Sequence, residues 1–234
     1  MTGDSVSPPP ELVDQISERA DALRRRWTEL TDRSVRLICV TKGHGPEVAA
    51  AAVAAGLTDL GENYAQELAD KAASFEGAGI AARWHFIGQL QRNKIRIIAP
   101  HVHWWHTVDR PALAVSLGER VPGATVLVQV DVANLPGRGG CSFAEVPALV
   151  AEARGAGLDV VGLMGVAPPG SPEDARPGFR RLVALADDLG LPERSIGMSG
   201  DADVAVSEGA TVVRIGSALV GPRPARTRRN AAGD

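Results

Sequence analysis

Of the 25 basic residues in this 234-residue chain, 22 are arginine and three are lysine; one of the three, Lys42, ends an apolar run. That run reads Arg36-Leu37-Ile38-Cys39-Val40-Thr41-Lys42 and stops at Gly43-His44-Gly45-Pro46. Arginine serves surface charge and ion pairing as well as lysine or better, but only lysine has an amine that can become a neutral nucleophile and condense with a carbonyl. A lysine kept at a strand's carboxyl end in an arginine-biased chain therefore points to a Schiff base. Ser199-Gly200 and Gly216-Ser217 each precede a helix-like stretch, where hydroxyls and exposed amides can cradle a phosphate. Arg214 lies on an apolar strand, and an inward guanidinium there needs a group to satisfy it. A phosphate-bearing aldehyde reaching Lys42 meets both demands, and pyridoxal phosphate is the obvious one.

These residues need a scaffold that brings distant segments to one face. Strand-like runs at 35–41, 58–60, 84–87, 102–107, 125–130, 159–164, 195–198 and 211–215 alternate with helix-like stretches at 46–55, 64–74, 91–99, 110–120, 143–156, 174–189 and 202–208. An amphipathic stretch at 11–30 precedes them, with Leu12, Ile16, Ala20, Leu23 and Trp27 near helical spacing. Parallel strands need crossover connections, so this alternation predicts an α/β fold with a parallel sheet. About eight strand–helix units predict a single-domain (β/α)8 TIM barrel with an extra N-terminal helix. An open doubly wound sheet is the alternative, weakened by the lack of G-x-G-x-x-G after the first strand. In a barrel, the strand ends bring Lys42, Asn63, Asp131, Met198, Ser199, Arg214, Gly216 and Ser217 to one face.

Composition narrows the classes. A net charge of -3 argues against a nucleic-acid surface. No apolar stretch reaches the roughly 18 residues of a membrane span, and no secretory signal opens the chain. The two cysteines, Cys39 and Cys141, do not make a disulfide framework, which suits a reducing, cytoplasmic setting. The expected organisation is a disordered terminus at 1–9, one barrel domain at 10–222 and a disordered basic tail at 223–234.

The chain resembles the pyridoxal phosphate homeostasis proteins through ICVTK (38–42), LGENYAQEL (60–68), WHFIGQLQRNKIR (84–96), HTVDR (106–110), GLMGVAP (162–168), IGMSGD (196–201) and VVRIGSALVG (212–221). The resemblance implies a barrel like the amino-terminal domain of alanine racemases, holding its cofactor as an imine. By position it makes Lys42 the Schiff-base lysine and sets Arg214 toward the pyridine nitrogen. It gives the phosphate to Ser199, Gly216 and Ser217, and the ring to Asn63 and Met198. Two departures stand out: Gly137-Arg138-Gly139-Gly140 where relatives usually carry a lysine, and Ile196 where methionine is commoner.

Simpler readings compete at several positions. Ser199 and Ser217 can be helix caps. His85 is equally a pocket residue or a packed core histidine. His101, His103 and His106 invite a metal reading, but alternation turns His106 away from the other two, so partly exposed edge histidines are expected and no metal. Lys71 and Lys94 read as solvated helix faces. For function, the expectation is a monomeric protein that holds pyridoxal phosphate for vitamin B6 homeostasis, with apo-enzymes dependent on that cofactor as recipients and no membrane partner. A permanently cationic arginine at the ring nitrogen weakens the electron sink. Alanine racemases share that arginine and add a tyrosine base from a second domain, whereas these residues include one tyrosine, Tyr64, and show no second domain. A fold-type III racemase or decarboxylase of narrow specificity is the alternative, and a phosphate-sugar isomerase the third reading.

Overall fold

A computed structural model describes residues 6–133 and 139–223 of the chain. Its eight parallel strands close into a barrel in chain order. They are β1 (Arg36–Val40), β2 (Asp59–Glu62), β3 (Arg83–Phe86), β4 (Val102–Val108), β5 (Thr125–Val130), β6 (Asp159–Gly165), β7 (Glu193–Ser195) and β8 (Val212–Ile215). Closure runs through β1 and β8, whose register pairs Arg36 with Val212 and Cys39 with Ile215. The sheet therefore has no free edge, and the open-sheet alternative is set aside.

Alternation along each strand divides the core in two. Leu37, Cys39, Val126, Val128, Val213 and Ile215 point outward and pack beneath the helices. Ile38, Trp104, Leu127, Met164 and Val212 point inward and form a separate cluster in the lumen. Both faces of the sheet are thus buried, and the strands read as near-continuous apolar runs for that reason.

The outer ring consists of α2 (Pro46–Ala54), α3 (Ala65–Ala78), α4 (Ile95–Ile98), α5 (Pro111–Arg120), α6 (Val146–Gly155), α7 (Arg176–Asp188), α8 (Ala202–Glu208) and α9 (Ser217–Val220). The extra helix α1 (Pro10–Thr28) buries Ile16, Ala20 and Trp27 and lies against α2 and α9. Arg19 Nη1 donates to Leu219 O at 2.6 Å, and Trp27 Nε1 donates to Asp203 Oδ1 at 3.2 Å, so both ends of the chain's barrel are tied together.

The seventh strand departs from expectation, lying at Glu193–Ser195 and not at 195–198. Gly197 adopts φ +92°, a left-handed conformation that ends the regular ladder. Pairing with β8 still continues through Ile196 N to Val212 O and Arg214 N to Gly197 O. The expected disordered ends fall mostly at 1–5 and 224–234, outside the described residues, as do Gly137 and Arg138 of the fifth loop. Val6 packs against the core, and Pro9 O accepts from Leu12 N and Val13 N.

Candidate functional site

A cavity of about 270 Å³ opens at the carboxyl end of the barrel. Strand β1 delivers Val40 and, just beyond it, Lys42 and His44; the turn after β7 brings Met198, Ser199 and Gly200. Arg214 enters from β8, and Gly216, Ser217, Gly221 and Arg223 follow it. Six of the seven residues expected from the sequence therefore line one cavity. The seventh, Asn63, is not among the lining residues, and its buried Oδ1 has no hydrogen-bond partner among the described residues.

Among the described residues, no carboxylate lines the cavity. Its cations are Lys42, Arg214 and Arg223, so the cavity suits an anion. Burial, then Arg223 and Arg214, hold the Lys42 ammonium below the ordinary lysine range, with Glu62 opposing them. A lowered pKa raises the neutral fraction of the amine and with it nucleophilicity. Burial likewise holds His44 below its ordinary value.

Neither serine caps a helix. Asp201 precedes α8 and Gly216 precedes α9, and neither helix has a side-chain cap bond. Asp201 Oδ1 instead accepts from Met198 N at 2.5 Å and fixes the turn that presents Ser199 and Gly200. At α9 the first intrahelical bonds come from Leu219 and Val220 to Gly216 O, after Ser217 in the chain.

Arg214 is buried, with 3% of its surface exposed. Nη1 donates to Ser195 O at 2.6 Å and Ser195 Oγ at 2.7 Å, and Nη2 donates to Gly165 O at 2.9 Å. Burial pushes its pKa down to about 10, with Asp201 opposing, so it stays cationic at neutral pH.

Two readings of individual residues need correction, and a third is decided between its alternatives. Lys71 is not a solvated residue: it is 4% exposed, and Nζ donates to Glu62 Oε1 at 2.5 Å and Thr41 O at 2.8 Å. Helical periodicity turns this one polar position of α3 toward the sheet, where a buried carboxylate receives it. His106 is not an edge residue either, because a closed barrel has no edge; it is fully buried in the lumen. His85 is the packed core histidine of its two readings, bonded to Asp59 and His106. Among the described residues, no group of three or more His, Cys, Asp or Glu side chains is arranged to hold a metal ion.

Among the titratable cavity residues, sequence reasoning misses His44 and Arg223. Composition groups Arg223 with the basic tail. Its stem lies against the first loop, since a Cβ on Gly43 would come within 3.1 Å of its Cδ. No local signal separates it from the arginines that follow. His44, two residues beyond Lys42, is legible from proximity alone.

The donor set of one lysine amine, two serine hydroxyls, glycine amides and two arginines fits a small aldehyde that also bears a phosphate. Residues 19–224 match the family described as alanine racemase, N-terminal domain. The chain is 41% identical to the pyridoxal phosphate homeostasis protein of Pseudomonas aeruginosa, over 91% of this chain and 93% of that one. The namesake in Escherichia coli is 36% identical, with 91% of this chain and 94% of that one covered. Among solved structures, PipY of Synechococcus elongatus with pyridoxal phosphate bound superposes with a TM-score of 0.77 at 34% identity, covering 88% of this chain and 100% of that one. The alanine racemase of Corynebacterium glutamicum shares the fold, with a TM-score of 0.69 at 20% identity over 92% of this chain and 62% of that one. The chain thus belongs to the alanine racemase N-terminal-domain family and, within it, to the pyridoxal phosphate homeostasis proteins.

Proposed function

We propose that this protein binds pyridoxal 5'-phosphate as a Schiff base on Lys42 and serves intracellular vitamin B6 homeostasis. The observation that carries the reading is the pairing, in one cavity, of a half-buried amine of lowered pKa with hydroxyl and amide donors from two loops. Membership of the homeostasis family supports it. When bound, the cofactor supplies the aldehyde and the phosphate. Lys42 supplies the attaching amine. Ser199, Gly216 and Ser217 would hold the phosphate, Met198 would lie against the ring and Arg214 would meet its nitrogen, whereas Asn63, expected at the ring, does not line the cavity.

The binding unit is the barrel at 10–222 together with Arg223. The protein acts as a cytoplasmic monomer that buffers the cofactor or passes it to apo-enzymes. The two free cysteines support the setting: burial pushes Cys39 up to about 12 and Cys141 up to about 11, which keeps both thiols protonated. Among the described residues, no helix is long and apolar enough to cross a membrane. Borohydride reduction followed by peptide mass analysis tests the attachment, and the expected adduct sits on Lys42 alone. An adduct on Lys71 or Lys94, or none, would overturn it.

Holding the cofactor without transforming amino acids is the reading that Arg214 favours. A cation at the ring nitrogen opposes its protonation and weakens the ring as an electron sink. Tyr64, the one tyrosine in the sequence, is 48% exposed and does not line the cavity. Incubation with a panel of L- and D-amino acids should give no racemisation, decarboxylation or transamination approaching about 1 per second, a typical lower bound for enzymes. Turnover at that rate on any one would restore the fold-type III enzyme.

A further inference from the structure

Barrels of this size fill their lumen with layers of branched aliphatic side chains. Here a row of buried polar groups runs beside the apolar cluster, from the amino mouth of the barrel to the floor of the cavity. Asp59 opens β2, His85 lies on β3, His106 on β4, Ser195 closes β7 and Arg214 lies on β8. His85 Nε2 meets Asp59 Oδ1 at 2.9 Å, and His85 Nδ1 meets His106 Nε2 at 3.0 Å. His106 Nδ1 meets Ser195 Oγ at 3.0 Å across the lumen, and Ser195 Oγ takes a hydrogen bond from Arg214 at 2.7 Å.

The chemistry of the two ends orders the protons between them. Asp59 already accepts from Arg83 Nε at 2.8 Å and Nη2 at 2.6 Å, so His85 Nε2 must donate to it. Burial would raise the Asp59 pKa, but the hydrogen bonds from Arg83 and His85 outweigh it and hold the group ionised. Burial keeps both histidines below their ordinary pKa, hence neutral. A neutral His85 that donates through Nε2 accepts at Nδ1, so His106 carries its proton on Nε2 and accepts at Nδ1. Arginine only donates, which leaves the Ser195 hydroxyl proton for His106.

Every donor in the row then points toward Asp59 and every lone pair toward Arg214. Such aligned hydrogen bonds polarise one another in a low-dielectric interior. Among the described residues, Arg214 makes no ion pair and Asp201 acts on it without contact, and a buried cation without a close partner is costly. The other charged or titratable groups around the two histidines are Arg36, whose guanidinium lies 4.3 Å over the Trp104 ring, and His103.

We propose that Asp59, His85, His106 and Ser195 are positioning residues for Arg214. The row fixes the guanidinium at the cavity floor and links its charge to a carboxylate at the opposite mouth of the barrel. The consequence for the ligand rests on the cofactor-binding reading above; the ordering of the row does not.

The test therefore has two arms. In protein free of cofactor, 15N-histidine NMR should find His85 and His106 as neutral Nε2–H tautomers at pH 7. The side-chain nitrogens of Arg214 should give separate, slowly rotating signals. His106→Gln can donate to His85 and accept from Ser195, whereas His106→Leu can do neither. The leucine variant should merge the Arg214 signals and weaken pyridoxal phosphate binding about tenfold, one lost hydrogen bond's worth. The glutamine variant should stay within about twofold of the wild type. If His106→Leu does not fold, Ser195→Ala takes its place. A cationic or Nδ1–H His106, or equal behaviour of the glutamine and leucine variants, overturns the row. A wild type that binds no pyridoxal phosphate while the ordering holds defeats the proposed function alone.

Discussion

Lys42 and Lys71 carry the same amine in adjoining regions, yet their surroundings make them opposites. Lys71 Nζ donates to the carbonyl of Thr41, the residue before Lys42, and to Glu62, whose Oε1 also accepts from Thr41 Oγ1 at 2.6 Å. Carboxylate, carbonyl and amine lock one another in place. Lys42 instead faces a cavity whose other charged groups are arginines, and its ammonium is disfavoured by burial and by those cations. Burial by itself thus does not make a lysine reactive. The two amines differ in what surrounds them: a carboxylate and a carbonyl accept from Lys71, whereas burial and then two arginines lower the Lys42 pKa.

Lys42→Arg gives the largest effect and tests this contrast directly. It keeps a cation but cannot condense with an aldehyde, so the visible absorbance and the borohydride adduct should vanish while the fold persists. Lys71→Met should keep the adduct.

Next in size is the structural cost of that second change. Removing one partner of a buried pair costs about 3 to 5 kcal/mol in urea unfolding. The loss should depend on pH with a definite sign. Burial holds the Glu62 carboxyl above its ordinary value of 4.5, so the folded state retains its proton longer than the unfolded chain. Stability of Lys71→Met should therefore be highest in mild acid and fall as pH rises from about 4.5 toward neutrality. A pH-independent deficit would mean that Glu62 does not sense the missing amine.

The serine end of the cavity comes third. Replacing Ser199 and Ser217 together by alanine should weaken pyridoxal phosphate binding by about tenfold or more, because charge-assisted hydrogen bonds are lost. Pyridoxal, which lacks the phosphate, should lose about twofold or less. Equal losses for the two ligands would make the serines structural.

The smallest effect sharpens the electrostatic half of the contrast. Arg223→Ala removes the largest single charge that disfavours the Lys42 ammonium. The Lys42 pKa should rise toward its ordinary value, and the pH profile of adduct formation with pyridoxal should move to higher pH. Pyridoxal is the right probe because lost phosphate contact then plays no part. An unmoved profile would show that Arg223 does not act on the amine.

Much of this site is legible in the order of residues along the chain. Alternating strands and helices with strand-end lysine, serine and arginine define the face on which a parallel barrel collects its groups, and Lys42, Met198, Ser199, Arg214, Gly216 and Ser217 all line the cavity. The residues that the sequence misplaced or left open share one physical cause. Lys71 sits among polar neighbours in sequence, and its burial follows from which side of α3 meets the sheet and from a carboxylate on β2. His85 and His106 lie on separate strands 21 residues apart, and only lumen packing brings them together and sets His106 against Ser195. Arg223 looks like its tail until the chain's return past α9 sets it beside Gly43.

By itself the sequence determined the fold class and which strand-end lysine, serines and arginine meet in one cavity. Each of these follows from local patterning: the period of apolar residues, the residue type at a strand end, a glycine beside a serine. Tertiary structure alone decided which lysine is paired, which histidines cross the barrel and what compensates Arg214. Those outcomes depend on charges and donors that meet only when strands far apart in the chain close into a ring, where low dielectric gives each such meeting its weight.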